Sequence, residues 1–493
     1  MRSQHTLGSP RGPPARTVPT AIAGARHADS VFDVEAPVIN IDYLVCNTAR
    51  PLSDTTAVTS WESPLAGDEW SLLRYQGSGR PRVILGRLRE KRFAAQELRP
   101  VLVLGPQRSR KTTGIVTPTL LDWPGPAIVT SVRTDVIDAT ISLREQIGVC
   151  TIFEPSGQYA RGRTTTGWNP LGDCQNWDDS LRTARWLTEA AFVGTSLENG
   201  DFWGGKATSL LAPLLFAAGA NGYTMADVIR WIRTVEQFEV RSLLQATANE
   251  EALNTFESIA AHDGRVRDSI YATLDQITAV YDYSNVMQST TSSTLDVSKF
   301  FDGRSNTLYL CAPPDEQEEF APLFTSLVRR VLREAYRREA MGLSDNDRPL
   351  LVLLDEAGNI APLANLDTLA TTAAGTGIQL VSVFHDISQM ATIYGDAKAR
   401  TIANNHSALM LLPGNRDSMT SGLLSDLLGE ETAQGWRDPV TGRPGATTGS
   451  PFRRLTPGTA LCIYEHLSPL VLSLRSSSHD EDLLRLTNES RAV

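Results

Sequence analysis

The stretch LVLGPQRSRKTTG, Leu102 to Gly114, decides how the rest of the chain reads. An apolar run, VLVL from Val101 to Leu104, ends at Gly105, and Lys111 and Thr112 follow six and seven residues later. This is the outline of a phosphate-binding loop. Consecutive backbone N–H groups, aimed by a tight turn into a helix N-terminus, wrap the phosphates. A lysine ammonium reaches the β and γ phosphates, and a Ser or Thr hydroxyl binds Mg²⁺. One position departs from the pattern: Arg110 stands where glycine normally precedes the lysine. Three readings of Arg110 stand. Its backbone is near-helical and the side chain points outward; or it is left-handed, at a cost of about 1–2 kcal/mol; or its Cβ meets the phosphate and binding fails. The candidate nucleotide-binding residues are Gly105, Ser109, Arg110, Lys111, Thr112 and Thr113.

A nucleotide-hydrolysing site also needs a carboxylate at the end of a neighbouring buried strand. PLLVLLDEAGN supplies five apolar residues from Leu350 and then Asp355 and Glu356. Asp355, with Thr112, is the candidate Mg²⁺ holder, and Glu356 the group that orients or activates water. The plainer reading is an acidic pair capping the next turn. A third element, VSVFHDISQM, places His385 just past another apolar run, with Gln389 four residues on. His385 either senses the γ-phosphate or serves as a capping or core histidine. Lys111, Glu356 and His385 are the candidate catalytic residues.

Seven continuous apolar runs read as strands covered on both faces: 101–104, 126–132, 149–153, 306–312, 350–354, 378–384 and 408–412. Helix-like segments separate most of them, so the core is an α/β parallel sheet. Between about Trp177 and Ser298 no strand pattern appears, which predicts an inserted all-helical domain at 177–298, with 34–176 and 299–475 forming a discontinuous core. FAPLFTSLVRRVLREAYRREA, from Phe320, is an amphipathic helix crowded with arginine: a solvated face, or a basic surface or trans-acting arginine. TALCIYEHLSPLVLSLR predicts a terminal strand pair turning at Leu467 to Pro469, the preceding RDPVTGRPGATTGSPFRR a long loop, residues 476–493 a tail, and 1–33 a disordered basic arm.

The net charge of −10 means that the 493-residue chain as a whole is not a polyanion binder; nucleic acid needs a local basic surface or an assembled pore. Five cysteines, none in a CxxC pair, read as reduced structural thiols and exclude a zinc site. No stretch reads as membrane-spanning: the longest apolar one, Ser209 to Ala220, is too short and contains Pro213. No signal peptide is recognised. The expected location is cytoplasmic, or peripheral at the inner face of the cell membrane.

Five stretches in order resemble the TraG/TraD-like coupling proteins of type IV secretion. GPQRSRKTTGIVTPTLLDWPGPAIVTSVRTD resembles the family's nucleotide loop and "WPG" turn. FEPSG…GWNPL is similar to the segment before its helical domain, and DFWGGKATSLL to its Phe-Trp helix. LLDEAGNIAPLANLDTL matches its acidic motif, and FHDISQM…ANNHSALMLL its Gln-bearing third motif. The resemblance implies a RecA-like P-loop NTPase core with an inserted all-α domain. It further implies a ring, usually hexameric, that uses ATP with Mg²⁺ to recognise and pump single-stranded DNA with its relaxase-type protein toward channel components. Lys111 and Thr112 fall on the phosphate and Mg²⁺ positions, and Asp355 and Glu356 on the acidic pair. Arg110 replaces glycine, His385 replaces the usual glutamine, TLATTAAGTG lacks the basic residue many relatives carry, and the family's N-terminal membrane helices do not appear. The alternatives are a non-hydrolysing adaptor with a degenerate loop that recruits secretion substrates, and a membrane-independent DNA pump used in segregation.

Overall fold

The computed structural model describes residues 70–77, 79–158, 162–193, 200–291, 295–428, 455–476 and 480–491. The basic arm at 1–33, Cys46 and the loop at 437–454 lie outside the described residues.

All seven apolar runs are strands: β4 (Val101–Leu104), β5 (Ala127–Ser131), β6 (Cys150–Phe153), β7 (Thr307–Cys311), β8 (Leu350–Leu354), β9 (Ile378–Phe384) and β10 (Ala408–Leu411). They pair in parallel in the order β10-β4-β9-β8-β5-β7-β6. Their continuity has a simple cause. Leu102 and Leu104 enter the core on one face of the sheet, and Val101 and Val103 the core on the other. Both faces are covered, so the runs are mainly apolar, and the polar residues they hold, such as Thr130 and Gln379, are buried with hydrogen-bond partners.

The sheet extends antiparallel beyond β10 through β11 (Thr459–Tyr464) and β12 (Leu470–Ser473), and then through β2 (Ile84–Leu88), β3 (Lys91–Ala94) and β1 (Arg74–Tyr75). The terminal pair was expected; β1 to β3 carry no apolar-run signal.

Between β6 and β7 every regular element in the described residues is a helix, from Trp177–Phe192 to Ser284–Thr291, apart from short 3₁₀ turns. Their starts are set by side-chain caps: Asn176 accepts from Asp179 N–H, Thr224 and Asp227 form a capping box, and Asn249 accepts from Ala252 N–H. Helix Gly200–Asn221 is apolar on nearly all sides and is buried among the others. Among the described residues, no helix is long and apolar enough to cross a membrane.

The arginine-rich helix, Gln317–Ala340, is neither a solvated face nor a free basic surface along its middle. Arg329 pairs with Glu189 at 3.0 Å, Arg330 donates to Asp173 at 2.9 Å and Arg333 lies 3.6 Å from Asp179. It clasps the helical segment to the sheet. Residues 476–493, read as a tail, contain instead a helix, Glu481–Arg491. Its base is fixed by buried Arg475, which donates to Asp480 at 2.9 Å and pairs with Asp122, while Arg87 lies 3.0 Å from Asp480. The cysteines Cys150, Cys174, Cys311 and Cys462 are unpaired, and burial pushes their thiols up to about 12.

Candidate nucleotide-binding site

Gly105 leaves β4 with its N–H donating to Phe384 O, so the loop starts from the end of β9 as well as from β4. The chain then doubles back: a Cβ on Gly105 would lie 2.5 Å from Ser109 Oγ and 3.0 Å from Leu412 Cβ. Only glycine fits. The helix begins at Lys111 with one turn of π-helix, Thr112–Val116. The N–H groups of Arg110, Lys111, Thr112 and Thr113 have no backbone acceptor among the described residues. They form a first-turn array of open donors.

Arg110 takes the second of its three readings. Its φ is +73°, and that of Arg108 is +63°, both in the left-handed region. The Arg110 side chain is exposed and lies across Gly458, where an added Cβ would be 3.1 Å from its Nη1. The glycine of the usual pattern therefore supplies a conformation that this chain reaches with strain.

The acidic pair is not on a strand next to β4. β9 lies between, pairing with β4 on one side and β8 on the other. Leu104 is level with Phe384, and Leu354 with Ser382, so β9 runs two residues past β8 and carries His385 into the gap. His385 Nδ1 lies 2.9 Å from Lys111 Nζ, and its Nε2 lies 3.0 Å from Glu356 Oε2. Lys111 Nζ also donates to Gly105 O at 2.6 Å and lies 3.6 Å from Glu356 Oε1. Thr112 Oγ1 donates to Asp355 Oδ2 at 3.1 Å. Lys111, Thr112, Asp355, Glu356 and His385 thus meet at one point; Ser109 is buried within the loop and Thr113 is exposed beside it.

Burial and the neighbouring Glu356 push Asp355 up to about 7, against the pull of Thr112 and Lys111. Burial acts the same way on Glu356, but His385 and Lys111 outweigh it and leave that carboxyl below its usual value. Asp355 is buried and its Oδ1 has no partner. A carboxylate with an open buried oxygen beside a threonine hydroxyl fits two places of a six-fold Mg²⁺ shell, the rest being water and phosphate oxygen. No cluster of three or more His, Cys, Asp or Glu suited to a metal occurs among the described residues.

Two contributors, Thr130 and Asn359, escaped the sequence reading, and a third, Gln389, was noted there without a role of its own. Thr130, on β5, donates to Asp355 O at 2.7 Å and fixes the end of β8. Gln389 and Asn359 share a hydrogen bond of 3.1 Å behind His385 and Glu356. The i to i+4 spacing of His385 and Gln389 is the one signal that pointed there.

Comparison with known proteins now decides the family. Residues 78–437 match the family described as Type IV secretory system Conjugative DNA transfer. The chain belongs to that family. Protein VirD4 of Agrobacterium fabrum is 25% identical over 345 residues, covering 67% of this chain and 49% of VirD4. Conjugal transfer protein TraG of Escherichia coli is 24% identical over 366 residues, covering 67% of this chain and 55% of TraG. The chain therefore spans about half the length of the curated relatives it matches. Among solved structures, the bacterial conjugative coupling protein TrwBdeltaN70 aligns with a TM-score of 0.59 at 17% identity, over 82% of this chain and 96% of that one. TrwB in complex with ADP and Mg²⁺ gives 0.61 at 18%, with the same coverage. The fold of this family member is a RecA-like P-loop NTPase core with an all-α domain.

Proposed function

We propose that this chain is an ATP-driven motor that moves single-stranded DNA, with its relaxase-type protein, to the components of a type IV secretion channel. It would work as a ring of six copies at the inner face of the cell membrane. The observation that carries the reading is the convergence of Lys111, Thr112, Asp355, Glu356 and His385 at the carboxyl ends of β4, β8 and β9. The VirD4 and TraG relatives support the transfer role. TrwB, solved with a non-hydrolysable ATP analogue and with ADP and Mg²⁺, supports ATP and Mg²⁺ as ligands.

The chain's own groups have distinct tasks under this reading. The open N–H groups from Arg110 to Thr113 bind phosphate oxygens. Lys111 exchanges Gly105 O for a phosphate, a better partner for an ammonium than a neutral carbonyl. Thr112 and Asp355 are the residues that would hold Mg²⁺, which when bound neutralises phosphate charge. Glu356, with its carboxyl held low, is the base that orients water and accepts its proton. His385 contacts both Lys111 and Glu356, which themselves lie 3.6 Å apart, and so ties the phosphate-binding cation and the base into one cluster.

The adaptor reading draws on Arg110: a strained residue in the loop, and a lysine bonded to its own loop, suit a site that binds nucleotide weakly and turns none over. Hydrolysis measured with single-stranded DNA, duplex DNA and no DNA separates the readings. The motor predicts turnover that single-stranded DNA stimulates and Lys111→Ala abolishes. Turnover stimulated by duplex alone would favour the segregation pump, and turnover no higher than that of Lys111→Ala would leave the adaptor.

A further inference from the structure

Glu356 has a φ of +55°, so the proposed base sits on a backbone that the surroundings must hold in place. The turn it opens is tight: Asn359 N–H donates to Glu356 O at 2.9 Å, and Ile360 N–H to the same oxygen at 3.1 Å. That turn lies flush on helix Ile387–Tyr394, since a Cβ on Gly358 would come within 2.3 Å of Ile393 Cδ1. The helix start is itself anchored. Asp386 Oδ1 accepts from Gln389 N–H at 2.8 Å, and Asp417 Oδ1 accepts from Ser388 Oγ at 2.6 Å.

One side chain bridges these pieces. Gln389 Oε1 accepts from His385 N–H at 2.8 Å, and Gln389 Nε2 donates to Asn359 Oδ1 at 3.1 Å. A single amide thus ties the backbone under His385 to the turn that carries Glu356. A carboxylate lacks the donor, and an apolar residue lacks both groups. We propose that Gln389 is a positioning residue for nucleotide hydrolysis: it fixes His385 and the Glu356 turn at one separation, so that the imidazole keeps its contacts with both the base and the lysine. The proposal rests on the nucleotide-site reading above. Its strength lies in the pairing of acceptor and donor, each at good hydrogen-bond distance.

The full chain is tested as Gln389→Ala, Gln389→Glu, Asn359→Asp and the last two combined, for kcat, KM for ATP with Mg²⁺, and melting temperature. Gln389→Ala should lower kcat about tenfold to a hundredfold, the size expected when a catalytic group drifts by about 1 Å, with KM and melting nearly unchanged. Each single acidic variant keeps one workable arrangement: aspartate at 359 still accepts from Gln389, and glutamate at 389 accepts from a turned Asn359 amide. Each therefore falls by less than Gln389→Ala. The combined variant opposes two carboxylates and falls as far as Gln389→Ala or further, a non-additive result that only direct contact produces. Additive losses, or a kcat loss that tracks a drop in melting temperature, would overturn the proposal. If the wild-type chain binds nucleotide without turnover, the hydrolysis reading fails separately. The same variants are then compared by the ratio of the Kd for ADP to that for a non-hydrolysable ATP analogue; Gln389→Ala should lower it, and an unchanged ratio overturns the brace.

Discussion

Replacing Arg110 with glycine isolates the one residue that makes the loop irregular. Its φ of +73° costs a residue with a Cβ about 1–2 kcal/mol, which glycine does not incur. Glycine gives back about 0.5–1 kcal/mol through the greater freedom of the unfolded chain. The arginine side chain is exposed and forms no ion pair in the described residues, so its loss adds little. Arg110→Gly should therefore stabilise the protein by about 0.8 kcal/mol, or about 1–2 °C in melting temperature for a chain of this size. Arg110→Ala keeps the strained Cβ and should give no gain, which makes it the control. Because the strain belongs to the protein itself and the guanidinium turns toward Gly458, affinity for ATP with Mg²⁺ should change less than threefold in either variant, by roughly 0.6 kcal/mol at most. Thermal denaturation and titration calorimetry on the three proteins test both halves. Arg110→Gly melting no higher than Arg110→Ala refutes the strain argument. A tenfold gain in affinity would mean that the Cβ meets the phosphate after all.

Other consequences concern stability. His406 is buried, with Nδ1 donating to Ile402 O at 2.7 Å and Nε2 facing Ser382 Oγ at 3.1 Å, and burial pushes it down to about 4. The unfolded chain takes up this proton first, so stability present above pH 6.5 is lost as pH falls toward 4, by about 3 kcal/mol in all; denaturant titrations of His406→Asn should lack this part of the slope. Arg475→Met leaves Asp122 without its ion-pair partner and buried Asp480 with Arg87 alone, and should cost about 3 kcal/mol. Limited proteolysis should then cut within the helix Glu481–Arg491 well before the wild type, and equal protection would contradict the clamp. Arg330→Ala removes the cation between Asp173 and Glu334 and should cost about 2 kcal/mol; a double-mutant cycle with Asp173→Ala that shows no coupling would remove the clasp from the account.

The sequence was most legible where burial is two-sided. Runs such as VLVL and LLVLL have no polar residue because each face of the sheet is covered, and every such run is a strand. β2 and β3 escaped notice for the opposite reason. ILGRL carries an interior glycine at a register shift, and KRFA begins with two charges at the sheet margin. Strand order is a tertiary property, which is why β9 was not foreseen between β4 and β8, and why His385 was left between two roles until its ring was placed against both Lys111 and Glu356. The arginines of Gln317–Ala340 looked like surface because their partners, Asp173, Asp179 and Glu189, lie some 140 to 157 residues away in sequence. The left-handed backbone of Arg110 is a value of φ, and no residue pattern states it.

The central claim is that a loop with arginine in place of glycine still serves a hydrolysing site. The most direct measurement is single-turnover hydrolysis of ATP with Mg²⁺ by the wild-type chain, with bound nucleotide measured in the same samples, beside Lys111→Ala and Glu356→Gln. The account predicts binding and turnover in the wild type, loss of both in Lys111→Ala, and binding without turnover in Glu356→Gln. Turnover that survives in Glu356→Gln, or bound nucleotide that the wild type never converts, would contradict it.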